Sequence, residues 1–351
     1  MLSSIPHLRL AGLEVEFGSE TRSLRDEVAL YGGDAAQVDR IARSVGLEKR
    51  SIAAPGVTAL DLCEKAARRL LTKLDVDASS IDAVVFVTQT PDHSQPANAN
   101  LLHGRLGMSK AAIAFDLSQG CSGFIYGLHY AGILCAHGGA ARVLLCCGDT
   151  LSRLVNPRDR SVAPLFGDAG SAVLIERTGE KTVWHFALGS DGTGAQAISV
   201  PAGGARQPTV GGATLVDITD EEGNVRNASN LTMNGPEVFN FSLREPAGAV
   251  SQVMAAAGWD VAACDALVLH QANRFIVQTI GKRLGFPDSK VPIASLAKHG
   301  NLSSASIPGA IVDELAQPLS QRKLKLVLCG FGVGLSWGAV AMEVGDWGKR
   351  D

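Results

Sequence analysis

The sequence predicts an α/β protein built from two duplicated halves, each a mixed or parallel sheet covered by helices. Three observations predict it. Of the 351 residues, 46% are hydrophobic but only 5% are aromatic, and 39 are glycine. Apolar bulk therefore comes from Ala, Val, Leu and Ile, the usual material of tightly packed α/β layers. The chain also repeats itself. Asp77-Ala-Ser-Ser-Ile-Asp-Ala-Val-Val-Phe86 matches Asp260-Val-Ala-Ala-Cys-Asp-Ala-Leu-Val-Leu269, an acidic turn followed by a buried strand in each case. Finally, each such run leads into a helical stretch that closes on Leu-Gly, at Leu106-Gly107 and at Leu284-Gly285.

The remaining elements follow from the same repeat. Ile113-Ala-Phe-Asp-Leu-Ser-Gln-Gly-Cys121 aligns with Ile293-Ala-Ser-Leu-Ala-Lys-His-Gly-Asn301, so a second strand, a polar turn and a helix start are expected in both halves. The strand Arg142-Val-Leu-Leu-Cys-Cys-Gly148 answers Lys325-Leu-Val-Leu-Cys-Gly330. We divide the chain into halves at 1–180 and 181–351. Near the middle of the chain, early in the second half, lies a polar excursion over 190–235 with Pro201, Gly203, Gly204, Pro208, Gly211 and Gly212, a candidate lid or wall of a substrate channel.

Charge and composition exclude several classes. The net charge is −3 with both signs interspersed, so neither nucleic acid nor an anionic membrane is the expected partner. No apolar run approaches the ~20 residues needed to span a bilayer, and the first residues do not read as a signal peptide. A cytoplasmic protein is expected. The seven cysteines are odd in number and none pairs in CxxC spacing, which reads as reduced thiols. His7, His93, His103, His129, His137, His185 and His299 form no metal-binding pattern, and no metal is expected.

One thiol stands apart. Cys121 follows a strand and Gly120 and opens a helix expected over 122–136, where unpaired N–H groups and the helix dipole favour thiolate and could stabilise an oxyanion. Cys146, Cys147 and Cys329 fall in strand runs and Cys63 and Cys135 in helix patterns, while Cys264 replaces Ile81 of the other half at an apolar packing position. His270 ends the buried strand Ala266-Leu-Val-Leu269, where such sheets present functional groups. Asn301 suits a helix cap, yet its equivalence to Cys121 across a pseudo-twofold brings the two close.

Five motifs, in order, carry a family resemblance: Asp116-Leu-Ser-Gln-Gly-Cys121-Ser-Gly-Phe124, Phe166-Gly-Asp-Ala-Gly-Ser-Ala172, His270-Gln-Ala-Asn273, His299-Gly-Asn-Leu-Ser-Ser-Ala-Ser-Ile-Pro308 and Gly330-Phe-Gly-Val-Gly-Leu-Ser-Trp-Gly338. Across nearly the whole chain these resemble β-ketoacyl-acyl-carrier-protein synthase III of the thiolase superfamily. The resemblance implies a five-layered αβαβα thiolase-like fold and a homodimer. Cys121 would take an acyl group from a thioester. His270 and Asn301 would hold the carbonyl of a malonyl thioester as it loses carbon dioxide, and the enolate would attack the acyl-cysteine. Backbone N–H groups of Cys121 and Val333 would form the oxyanion hole, although the family usually has Gly where this chain has Val333. Phe166 matches a family aromatic beside the cysteine.

Substrates, on this resemblance, are coenzyme A or acyl-carrier-protein thioesters, with no cofactor. Donor-site residues depart from the family pattern. Arg40 stands where a Trp stacks on adenine and Ser44 replaces an Arg, whereas Arg160 matches the Arg on the other adenine face. Pro236 and Asn240 replace an Asn and a Lys. Arg274 precedes the family's Arg position, which is Phe275 here. Lys282 and Arg283 match a basic pair expected to meet an acidic carrier. These departures point to a paralogue with another acyl donor. Acyl transfer to a non-malonyl acceptor, with His270 as base, is the alternative. A nondecarboxylating hydroxymethylglutaryl-type reaction would need a Glu where Gln89 stands. An inactive partner subunit would be expected to lose Cys121 or His270.

Overall fold

A computed structural model of the protein describes residues 1–209, 212–345 and 347. Gly211 of the polar excursion and the end of the second half lie outside the described residues.

Two five-stranded sheets organise the chain. The first has the order β2 (Leu8–Phe17), β8 (Ala169–Arg177), β7 (Arg142–Asp149), β5 (Ala83–Val87), β6 (Ile113–Leu117). The second has the order β1 (Leu2–Pro6), β9 (Val183–Ser190), β16 (Ser336–Val344), β15 (Leu324–Gly332), β14 (Ala266–Leu269). In the first, β7, β5 and β6 run parallel and β8 and β2 antiparallel. In the second, β14 and β15 run parallel and β16 antiparallel. Two-stranded ribbons complete the strands: β3 (Glu20–Ser23) with β4 (Lys49–Ile52), β10 (Ile198–Ser199) with β13 (Thr232–Met233), and β11 (Ile218–Thr219) with β12 (Val225–Arg226).

Helices fill three layers around these sheets. On the outer face of the first lie α2 (Ala59–Leu74) and α3 (Asn98–Leu106); on that of the second lie α5 (Gly235–Ala257) and α6 (Arg274–Arg283). Between the sheets run α4 (Gly123–Ala136) and α8 (Ser306–Gln321). The helix α1 (Ala35–Val45) packs on α6, and α7 (Ala294–His299) packs on α8 and β4. The result is the αβαβα stack.

Burial on both faces explains why the central strands read as unbroken apolar runs. Along β5, Ala83, Val85 and Val87 face the middle layer, while Val84 and Phe86 face α2 and α3. Phe124, Ile125 and Leu128 of α4 are fully buried, each stabilising the fold by about 1.5–3 kcal/mol. Side-chain caps fix helix starts: Thr58 and Asp61 form a capping box on α2, and Asn273 caps α6.

The repeat is imperfect in two places. Where the first half has β6, the second has the short helix α7, not the expected strand. Pro292 cannot donate to a ladder, and the Glu314 carboxylate accepts from the N–H groups of Ile293 (3.1 Å) and Ser295 (3.2 Å). The division at residue 180 is also crossed, since β1 at the start of the chain pairs with β9 in the second sheet.

Candidate active site

The carboxyl ends of the parallel strands converge: Gln89 follows β5, Cys121 follows β6, Asp149 ends β7, His270 follows β14, and Val333 follows β15. Cys121, His270, Asn301, Phe166, Gln89 and Val333 line one cavity of about 180 Å³. Its other walls are mainly apolar and include Ile198, Leu231 and Met233 from the 190–235 excursion. Among the described residues, the Ser94–Pro96 loop contributes nothing to this lining.

Cys121 sits in the turn between β6 and α4, which begins at Gly123 after Ser122. It alone of the seven cysteines keeps partial exposure, the other six being fully buried. The Ser122 and Ser336 hydroxyls lie 2.7 Å apart, and Ser336 Oγ donates to the Val333 carbonyl (2.7 Å). That chain ties the start of α4 to the turn after β15. A Cβ on Gly332 would come within 3.1 Å of the Cys121 sulfur, so only glycine lets the β15 backbone pass so near.

Sequence position favours thiolate, but the surroundings do not. Burial, then the neighbouring Asp149 carboxylate, push the Cys121 thiol up to about 12. The Ser303 hydroxyl, 4.0 Å from the sulfur, and the cysteine's own N–H act against that rise. At rest Cys121 is a thiol. Asp149 was not anticipated from the sequence. Fully buried, it accepts from Gln89 N–H (2.7 Å), Thr88 Oγ1 (3.2 Å) and Ser304 Oγ (2.9 Å).

His270 is 2% exposed, and burial lowers its pKa to about 3, the Ser303 backbone only partly opposing this. Its Nδ1 lies 2.6 Å from Ser306 Oγ and its ring meets Phe331 edge-on at 5.5 Å. The imidazole is thus neutral. Burial lowers the basicity of His270 and raises the thiol, so the ring is better suited to donating a hydrogen bond than to acting as a base.

Asn301 is held by its backbone: its N–H donates to Leu165 (2.9 Å) and its carbonyl accepts from Gly167 (3.0 Å), bracketing Phe166. It does not open α8 directly. A short turn over Ser303–Ala305 intervenes, and Asn301 Oδ1 accepts from Ser303 N–H (2.9 Å). With its oxygen engaged, the amide nitrogen remains as donor. Ser303 adopts φ +51°, a left-handed conformation costing about 1–3 kcal/mol in a residue that is not glycine.

The five basic residues expected at the donor site lie apart from this cavity; none is among its lining residues. Arg40 is exposed with Asp34 at 4.0 Å. Arg160 donates to the Glu222 carbonyl. On α6, Lys282 is exposed, Arg283 donates to the Leu243 carbonyl (2.7 Å), and Arg274 borders a polar cleft with Arg25, Arg43, Asp39 and Glu48. Among the described residues no three His, Cys, Asp or Glu side chains are grouped to hold a metal ion, and no helix is long and apolar enough to cross a membrane.

Comparison with known proteins gives one consistent answer. Residues 115–192 match the family described as 3-oxoacyl-[acyl-carrier-protein (ACP)] synthase III, and residues 254–344 match its C-terminal counterpart. The chain is 38% identical to β-ketoacyl-[acyl-carrier-protein] synthase III 3 of Streptomyces coelicolor, over 85% of this chain and 86% of the relative. It is 34% identical to the β-ketoacyl-[acyl-carrier-protein] synthase III of Rhodopirellula baltica, over 96% and 98%. Among solved structures, a 3-oxoacyl-(acyl-carrier protein) synthase from Burkholderia xenovorans LB400 superposes with a TM-score of 0.93 at 36% identity, covering 100% of this chain and 98% of that one.

Proposed function

The chain belongs to the 3-oxoacyl-[acyl-carrier-protein] synthase III family of the thiolase superfamily, and from that premise we propose how its residues divide the work. It is a condensing acyltransferase that joins an acyl group to a malonyl thioester with loss of carbon dioxide, giving a β-ketoacyl thioester. In our reading Cys121 attacks the acyl thioester. The C–S bond to the incoming carrier breaks, and the thiol proton leaves with the departing thiol. Cys121 N–H and Val333 N–H stabilise the oxyanion. A malonyl thioester then fills the cavity with its carbonyl against His270 and Asn301. Its carboxylate leaves as carbon dioxide, the electron pair becomes an enolate, and the enolate carbon attacks the acyl carbonyl, expelling Cys121 as a thiolate that takes a proton from water to return to the resting thiol.

The observation that carries this reading is the pairing of a neutral imidazole with an amide whose oxygen is already engaged. Both are donors that strengthen as negative charge grows on an enolate oxygen, and neither repels it. The reduced basicity that burial imposes on His270 disfavours acyl transfer with that ring as base. This chemistry draws on side chains and backbone alone, with thioesters as substrates and no cofactor.

Three further assignments belong to the proposal. An acyl carrier protein or coenzyme A supplies the thioesters, with Arg274, Lys282 and Arg283 on α6 available to an acidic carrier. The protein is a homodimer joined along β6, an edge strand whose Ile113 is 50% exposed and whose Phe115 and Leu117 are half-buried. It works in the cytoplasm, consistent with seven free thiols.

Carbon dioxide release from a malonyl thioester by the acylated protein tests the roles. His270→Ala and Asn301→Ala should each lower release about a hundredfold while Cys121 still acylates. Unchanged release in both variants would overturn the assignment.

A further inference from the structure

We propose that Asp149 is a positioning residue for the condensation step: its buried carboxylate bridges the two halves of the chain and fixes the turn that sets the Asn301 amide. The inference rests on the reading of Cys121 as the acylated residue and of His270 and Asn301 as the pair that binds the enolate.

The carboxylate divides its oxygens between the halves. Oδ1 accepts from the Gln89 N–H (2.7 Å) and from Thr88 Oγ1 (3.2 Å), in the segment that follows β5. Oδ2 accepts from Ser304 Oγ (2.9 Å) and, more weakly, from the Ser304 N–H (3.4 Å), in the short turn before α8. Asp149 itself is the last residue of β7 and is fully buried.

From Ser304 the restraint reaches the amide through one neighbour. The Ser303 N–H donates to Asn301 Oδ1 at 2.9 Å, which occupies the amide oxygen and leaves its NH2 as donor. Ser303 holds φ +51°, a left-handed conformation that serine keeps only where its surroundings fix it. Asn301 fixes it on one side, and the grip of Asp149 on Ser304 fixes it on the other. The Ser303 hydroxyl also lies 4.0 Å from the Cys121 sulfur, so the same turn sets the amide relative to the acyl carrier.

The chemistry of the group suits positioning better than packing. All four donors that reach the carboxylate are neutral, and an asparagine of the same shape would be buried at lower cost. An amide, however, has one acceptor oxygen and one NH2. With its oxygen on Gln89 and Thr88, its NH2 would face the Ser304 N–H, donor against donor, and the turn would loosen. Two acceptor oxygens, one for each half, are what the carboxylate adds.

The test separates the half-reactions. Loading of Cys121 from acetyl- or octanoyl-coenzyme A is followed by intact mass, and carbon dioxide release from malonyl-coenzyme A is then measured on the loaded protein. Wild type, Asp149→Asn, Ser304→Ala and the double variant are compared. Asp149→Asn should lower the kcat of release about tenfold or more, with KM changed by less than about twofold. Its loading should be no slower than wild type, and its thermal unfolding midpoint no lower. Ser304→Ala should lower release about fivefold, and the double variant should match Asp149→Asn because both act through one contact. Ser304→Ala alone decides the matter should Asp149→Asn fold poorly. Wild-type release in the single variants, losses that multiply, or a parallel fall in loading, release and midpoint would overturn the role of Asp149. Loss of release in His270→Ala and Asn301→Ala without loss in Asp149→Asn sinks this inference alone. If those two variants also release carbon dioxide normally, or if neither thioester loads wild-type Cys121, the underlying reading falls and takes this inference with it.

Discussion

The Nδ1 atom of His270 lies 2.6 Å from the hydroxyl oxygen of Ser306 at the first residue of α8. The same hydroxyl oxygen accepts from the Gln271 N–H at 3.4 Å, so its own hydrogen is free to point at Nδ1. When it does, the ring proton sits on Nε2, the nitrogen that would meet a substrate carbonyl. Ser306→Ala should therefore slow decarboxylation about tenfold, with acylation of Cys121 much less affected. Ser306→Thr should restore most of the loss. Equal loss in both half-reactions, or no rescue by Thr, would show that Ser306 merely supports the fold.

Thiol chemistry offers an independent check. With Cys121 pushed up to about 12 by burial and Asp149, the thiolate fraction should rise about tenfold per pH unit across the accessible range. Alkylation by iodoacetamide, followed at the Cys121 peptide from pH 7 to pH 10, should climb without a plateau. Asp149→Asn removes the buried negative charge and should shift the profile to lower pH. A plateau near pH 8 in the wild-type protein would mean that the helix start dominates over burial.

Gly332 gives a steric prediction. Its Cβ would sit 2.8 Å from Cys121 Cβ and 3.1 Å from Sγ, and the Gly332 backbone is held in register with Ser336 of β16. Gly332→Ala should cut acylation about a hundredfold, while the thermal unfolding midpoint falls only modestly. Wild-type acylation kinetics in this variant would show that the backbone does not crowd the sulfur.

Edge strand β6 predicts association. Five residues with half-exposed Ile113, Phe115 and Leu117 present unpaired backbone groups to a second copy. Sedimentation should find a dimer, and Phe115→Asp should yield monomers. A wild-type protein that is monomeric at micromolar concentration would rule out this edge as an interface.

Much of this was legible in the sequence, for physical reasons. Strands buried on both faces leave unbroken apolar runs, and a duplicated unit repeats its turns, so the layers and the convergence of Cys121 with Asn301 followed from pattern. His270 was legible because it ends an apolar run. The fate of Ile293–His299 was not, because a carboxylate from α8, Glu314, caps it in space. The protonation of Cys121 was misread for a similar reason. Position at a helix start is local, whereas Asp149 approaches from another strand. Asp149, Ser303 and Ser306 carry polar side chains common at any turn, and only packing reveals that they face the sulfur and the imidazole. The donor-side arginines rest on a linear match alone, and their present partners, such as the Glu222 carbonyl for Arg160, come from distant loops that sequence order does not reveal.

The central claim is that Cys121 carries the acyl group, and the most direct measurement is peptide mapping after incubation with an acyl thioester. A single adduct on the peptide containing Cys121, absent in Cys121→Ala and discharged by malonyl thioester with release of carbon dioxide, is the predicted result. An adduct on another residue that persists in Cys121→Ala would contradict it.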